Sequence, residues 1–300
     1  MNLYERILIP TNLDGFDDLA IRYALLFHER HGSKITMLHA EEVSWLAAEH
    51  PIGYYFENAN EAKEGLKWRL AEYARRLTPA GASVATIFVD EEPVRGISRI
   101  AEETGANLIV MATHGRTGLR RALIGSVTES VLREAEIPVL TVTPRLFAAG
   151  GEVALRSILC PVNFSDVAAA SLEQAAAIAE AFDAKLIVMH VASDGVRNVE
   201  EQLGEWIDGI VRGRVRYRRI VLEGDPAERV LEIADQLQTD LMVIGARHRR
   251  FHDSTVTGLT TDRITRFARH AVLTVATSRV TDRAARSATS SEYAETQPRP

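Results

Sequence analysis

Ile7-Leu-Ile-Pro-Thr-Asn12 and Ile158-Leu-Cys-Pro-Val-Asn163 are one six-residue phrase written twice, 151 positions apart. Moving outward, Lys34-Ile-Thr-Met-Leu-His39 returns at the same offset as Lys185-Leu-Ile-Val-Met-His190. Further on the offset falls to 133: Pro93 matches Pro226, Leu108-Ile-Val-Met-Ala112 matches Leu241-Met-Val-Ile-Gly245, and Val139-Leu-Thr-Val142 matches Val272-Leu-Thr-Val275. The chain therefore contains itself twice, which decides between one large domain and two small ones. The change in offset places an insertion of about 18 residues in the first copy around Glu42–Asn60, a stretch carrying Trp45, Tyr54, Tyr55 and Phe56.

Each copy alternates short apolar runs with amphipathic segments. In the first, runs near 5–10, 34–40, 83–89, 107–112 and 137–143 have the length and β-branching of strands, and helical patterns fall near 17–31, 58–78, 94–104 and 126–135. The second repeats this with strands near 156–162, 185–191, 215–222, 240–245 and 271–277 and helices near 168–182, 198–211, 226–238 and 261–269. Strands apolar on both faces and joined by helices imply a parallel sheet covered on each side. The expected architecture is two tandem, doubly wound α/β domains of five strands each, spanning 1–146 and 153–279, joined through Phe147-Ala-Ala-Gly-Gly-Glu152. Residues 280–300 are nearly devoid of large apolar side chains and read as a disordered tail.

Composition narrows the function classes. With 300 residues, 46% hydrophobic, and a net charge of −6, the chain lacks the basic surface of a general nucleic-acid binder. Its single cysteine, Cys160, removes disulfide frameworks and cysteine-based zinc sites. No run of about 18 apolar residues and no apolar signal core occur, so the expectation is a cytoplasmic protein with no membrane partner.

Open parallel sheets take ligands beyond the C-terminal ends of their strands, where strand order reverses. After the fourth strand of the first copy come Ala112, Gly115, Arg116 and Gly125, then a helix beginning Ser126-Val127-Thr128. Glycines let backbone approach a phosphate, the unpaired N–H groups of the first helical turn point at it, and Ser126 and Thr128 bring hydroxyls. Glycine and serine before a helix are also ordinary capping chemistry. No Gly-x4-Gly-Lys-Ser/Thr run and no Gly-x-Gly-x-x-Gly after a strand occur, so neither a P-loop nor a dinucleotide fold is supported.

Both copies resemble universal stress protein domains of the UspA type, over nearly the whole chain to about residue 278. The ATP-binding branch of that family carries Gly-x2-Gly-x9-Gly-Ser/Thr after strand four; here the string is Ala112-x2-Gly115-x9-Gly125-Ser126, with alanine in the first position. The resemblance implies a Rossmann-like, adenine-nucleotide alpha-hydrolase-like fold and ATP as ligand. It assigns ribose and phosphates to Gly115, Gly125, Ser126, Val127 and Thr128, with Ala112 and Arg116 in the same loop. It assigns the adenine pocket to Pro10, Thr11, Asn12 and Ala40. Asn12 stands where the family usually has aspartate, which puts Mg²⁺ dependence in doubt. The resemblance also implies pairing through the last strands, satisfied within the chain or in a homodimer.

The second copy departs from the motif: His248 replaces the second glycine and Leu259 replaces the serine, so ATP binding of this kind is not expected there. Arg247, His248, Arg249 and Arg250 stay open as a different anion site. His28 and His31 have metal-compatible spacing but no third ligand, Cys160 reads as a core thiol, and Asp14, Asp17 and Asp18 read as complements to a helix dipole. Arg212, Arg214, Arg216 and Arg218 alternate as if along one face of an edge strand. Nothing marks a catalytic nucleophile or general base. The reading is an ATP-binding regulator or sensor of stress. A slow ATP hydrolase or phosphotransferase is one alternative; the other is a non-nucleotide scaffold that takes a small ligand at the aromatic insertion.

Overall fold

A computed structural model describes residues 3–15, 17–42, 52–78, 83–113, 124–143, 153–192, 198–246 and 259–276. The expected linker and tail lie outside these residues, as does Trp45. The first half runs β1 (Arg6–Pro10), α1 (Asp18–His31), β2 (Lys34–Ala40), α2 (Ile52–Leu77), β3 (Val84–Val89), α3 (Pro93–Thr104), β4 (Leu108–Ala112), α4 (Ser126–Glu134) and β5 (Val139–Val142). The second runs β6 (Ser157–Val162), α5 (Asp166–Phe182), β7 (Lys185–Ala192), α6 (Val199–Val211), β8 (Tyr217–Glu223), α7 (Pro226–Leu237), β9 (Leu241–Ala246), α8 (Leu259–Phe267) and β10 (Ala271–Ala276).

Local chemistry sets many boundaries. The Glu92 side chain accepts from the N–H groups of Val94 and Arg95, and Asp225 accepts from Glu228, each just before a proline that opens a helix with its φ already set. Gly32 and Gly105 end α1 and α3 in the left-handed conformation, at φ 69° and 62°. The insertion is partly helical: α2 begins at Ile52, earlier than the expected 58, and has 26 residues against 13 in its counterpart α6. The expected arginine stripe does not form. Arg212 caps α6, the Arg214 guanidinium donates to the Val211 carbonyl in the following turn, and β8 starts only at Tyr217.

The ten strands make one sheet in the order β3-β2-β1-β4-β5-β10-β9-β6-β7-β8. Neighbours are parallel within each half. At the centre β5 and β10 pair antiparallel, with Val139 opposite Thr274, Leu140 opposite Leu273 and Thr141 opposite Val272. Leu273 is Leu140 displaced by the repeat offset of 133, so a pseudo-two-fold axis passes through this pair.

That axis brings α1 and α5 together on one face, over a core that runs through both halves and includes Phe27, Leu70, Leu140, Leu172, Ile207 and Leu273. The Phe27 ring meets Tyr4 edge-on at 5.2 Å and, across the halves, Phe182 at 5.4 Å. Tyr4 Oη donates to Gln174 Oε1 at 2.9 Å, and Tyr23 Oη donates to the Asp240 carbonyl at 3.4 Å. The opposite face holds two separate cores, one beneath α3 and α4 and one beneath α7 and α8.

A shared core predicts shared unfolding. Phe27 is 1% exposed, so Phe27→Ala is expected to cost about 3–5 kcal/mol. In a chain whose sole tryptophan is Trp206 (Trp45→Phe, Trp68→Phe), the urea transition read by that second-half residue moves down with it. An unmoved Trp206 transition would mean that the halves unfold independently.

Candidate functional site

Strand order reverses between β1 and β4 in the first half and between β6 and β9 in the second, and a parallel sheet opens a crevice there. Beyond β1, the Thr11 N–H donates to the Leu38 carbonyl at 2.8 Å, holding the chain against β2. Thr11 Oγ1 donates to Asp17 Oδ2 at 2.6 Å and accepts from the Leu13 N–H at 3.0 Å. Asn12 closes a smaller ring: its Nδ2 donates to Asp14 Oδ2 at 2.7 Å while its Oδ1 accepts the Asp14 N–H at 3.1 Å. His39 Nδ1 lies 2.8 Å from the Thr11 carbonyl, which can only accept, so this ring nitrogen carries the proton. Its Nε2 faces Glu41 Oε2 at 3.2 Å.

Asp17 is 5% exposed and does not cap α1 with its side chain. Its carboxyl turns inward to Thr11. Burial pushes it up to about 6, with the charges of Asp14 and Asp18 adding to the rise and hydrogen bonds from Thr11 and the Asn12 backbone opposing it. Asp18 Oδ1 accepts from Tyr73 Oη at 2.7 Å. These three acids thus have individual partners, a finer arrangement than the dipole complement expected from sequence.

On the other side of the crevice, Ala112 ends β4, and α4 starts after Gly125, which has no side chain to cap it. Among the described residues its first turn has no side-chain cap, as in α1 and α6 and unlike α3, α5 and α7, which Glu92, Ser165 and Asp225 cap. Ser126 is exposed. Thr128 is buried and its Oγ1 donates to the Ala112 carbonyl at 3.4 Å, so that hydroxyl proton ties helix to strand. Ala40 sits at the end of β2, where Gly96 of α3 packs so closely that a Cβ there would lie 3.0 Å from the Ala40 Cβ. Pro10, Thr11, Asn12, Ala40, Ala112, Gly125, Ser126, Val127 and Thr128 thus collect at the C-terminal edge of the first half-sheet. Gly115 and Arg116 lie outside the described residues.

The second half repeats the frame. His190 Nδ1 meets the Val162 carbonyl at 2.8 Å, as His39 meets Thr11, and Thr261 Oγ1 donates to the Gly245 carbonyl at 3.0 Å, as Thr128 does to Ala112. The polar pair is missing: Val162 and Ala168 stand at the positions of Thr11 and Asp17. Sequence reasoning missed the buried Thr11–Asp17 pair, and this exchange between the copies is the signal that could have found it. Arg247, His248, Arg249 and Arg250 lie outside the described residues.

Among the remaining candidates, His28 Nδ1 bonds the Ser33 carbonyl at 2.7 Å and closes the end of α1. Cys160 is fully buried, and burial pushes its thiol up to about 12, which keeps it protonated and unreactive. Among the described residues no group of three or more His, Cys, Asp or Glu side chains forms a metal cluster, and no helix is long and apolar enough to cross a membrane.

The Asp17 environment has a measurable sign. A carboxyl held above its ordinary 3.8, at about 6, binds its proton more tightly in the folded chain. Its contribution therefore favours folding below the ordinary value and is lost as pH rises through about 6, a change on the order of 3 kcal/mol. Asp17→Asn is expected to be more stable than wild type by about 1–3 kcal/mol at pH 8 and to converge with it near pH 4 in urea unfolding. A difference constant with pH would refute the assignment.

The profile of the Universal stress protein family matches residues 3–143, 154–209 and 208–276. A universal stress protein of Methanocaldococcus jannaschii, MJ0577, is 29% identical over 154 residues, covering 47% of this chain and 95% of that protein. A universal stress protein of Mycolicibacterium smegmatis is 25% identical over 301 residues, covering 90% of this chain and 96% of its own length. In fold, the crystal structure of a universal stress protein from Archaeoglobus fulgidus superposes with a TM-score of 0.72 at 22% identity, covering 91% of this chain and 98% of that one. With the family profile recurring along both halves of a repeated, mostly parallel sheet, the chain belongs to the universal stress protein family.

Proposed function

We propose that the first half of this chain binds ATP at the crevice between β1 and β4, and that the protein acts as a nucleotide-dependent regulator or sensor of stress. The observation that carries this reading is the start of α4. A helix of nine residues opens at the switch point without a side-chain cap, after a glycine, in a stretch whose Gly115, Gly125 and Ser126 spacing resembles the ATP-binding branch. Backbone N–H groups of Ser126 and Val127 and the exposed Ser126 hydroxyl would take phosphate oxygens, since the helix dipole and the unpaired donors act together. Arg116 would add positive charge. Pro10, Thr11, Asn12 and Ala40, at the ends of β1 and β2, would line the base, with Ala112 below the phosphate turn.

Mg²⁺ fits this site poorly. Asn12 is neutral and its amide donates to Asp14 Oδ2, so the position after β1 where the family usually has aspartate supplies no carboxylate to a cation that favours such oxygens. No step is assigned to it. The second half, with Leu259 at the helix start, would not bind ATP in this way.

Calorimetric titration of ATP into the wild type and a Gly115→Glu, Ser126→Asp variant tests the reading. One site per chain, abolished in the variant, is expected; two equal sites, or none, would sink it. Phosphate release in the same samples separates binding from turnover, and no release above the variant's background is expected.

A further inference from the structure

A cavity of about 280 Å³ opens in the second half at the β6–β9 switch point. Its walls are Val162, Met189, Val191, Val230, Ile244 and Ile264, and among the described residues none that lines it is ionisable. The floor is closed where β9 meets α5: a Cβ added at Gly245 would lie 2.5 Å from Val167 Cγ1 and 2.9 Å from the Val167 carbonyl. Polar atoms come from Asn163, Ser165, Thr260 and Thr261. Thr261 already donates to Gly245, and Asn163 Oδ1 accepts from Ser165 Oγ at 2.7 Å. The Asn163 amide nitrogen has no partner among the described residues and is available as a donor.

We propose that this cavity is a second ligand site, which takes an uncharged, largely hydrocarbon ring compound carrying one hydrogen-bond acceptor for Asn163. Protein interiors are close-packed, so a void of this size at the ligand-binding edge of a parallel sheet is a binding feature rather than a packing defect. An apolar cavity of about 150 Å³ accepts benzene, so this one has room for a bicyclic ring. Among the described lining residues none offers a counter-charge, so an ion entering these apolar walls would shed hydration uncompensated by them. The first half differs at the equivalent positions, where Asp14 and Asp17 replace Ser165 and Ala168. The inference stands on the cavity and does not rest on ATP binding in the first half.

The test uses 2-naphthol, a neutral bicyclic hydroxyl compound, titrated into the full chain labelled with ¹³C at its methionine methyl groups. Saturable binding is expected to move the Met189 resonance and leave Met37 in place. Val191→Phe and Val230→Phe, which push a ring into the cavity from different elements, are each expected to weaken binding at least tenfold, with an unmoved Met37 resonance reporting an intact fold. ATP, added afterwards, is expected to leave the Met189 shift unchanged. The inference is overturned by an unmoved Met189, by a Met189 shift that survives both fillings in a folded chain, or by ATP displacing 2-naphthol. Failure of ATP to move Met111 of the first half would overturn the ATP reading while leaving this one intact.

Discussion

The antiparallel pairing of β5 with β10 is the constraint from which the rest of the molecule follows. β5 has four residues, all buried, and without a partner it would end the first half-sheet in an apolar edge, the kind of surface that recruits other strands. Pairing it with its own repeat removes the edge from both halves at once. The match is self-complementary because the repeat places Leu140 opposite Leu273, so whatever suits one strand suits the other. The remaining sheet edges are β3 and β8, whose burial patterns are more exposed than those of the central strands.

Because that pairing is antiparallel while every other one is parallel, the strands of the two halves run in opposite directions. The two switch-point crevices therefore lie at opposite ends of the ten-stranded sheet. What connects them is the shared face, where α1 and α5 lie over one continuous core and Phe27 packs on Phe182. On the other face the cores are separate, and Glu129 of α4 meets Arg266 of α8 in an ion pair at 3.9 Å. Any influence of one crevice on the other has the first route as its densest material path.

Much of this was legible in the sequence because the chain supplies its own comparison. The two offsets located the repeat, the strands and the longer connection in the first half, and apolar strands joined by helices implied the parallel sheet. Register across β5 and β10 was less accessible, since it depends on two segments meeting over a separation that no local pattern encodes. The arginine series misled because alternation in sequence places side chains on one face only if the backbone is extended, and Arg212 and Arg214 belong to a turn. The helical pattern near 58–78 began too late because residues 52–57 fall in the insertion, for which the second copy offers no counterpart to compare. At the site, Pro10, Asn12, Ala40 and Ala112 fell where strand ends put them. The inward turn of Asp17 was not foreseen, because an acid before a helix has a simpler explanation in the helix dipole.

That inward turn bears on how the two halves divide their roles. The scaffold does not require an acid beneath the loop after its first strand: in the second half Val162 and Ala168 fill the positions of Thr11 and Asp17, and the histidine-to-carbonyl tie above them persists unchanged. A carboxyl held at about 6 by burial lowers the stability of the first half near neutral pH, so its presence is not explained by folding. Groups that oppose stability and are held in place by their surroundings concentrate where a protein meets its ligands. The same crevice also has the helix start with no side-chain cap. In the second half the described residues around the corresponding space are uncharged, and they line an apolar cavity. Among the described residues one scaffold thus presents acids at the crevice at one end of the sheet and apolar walls at the other, a difference that traces to exchanged side chains at equivalent positions.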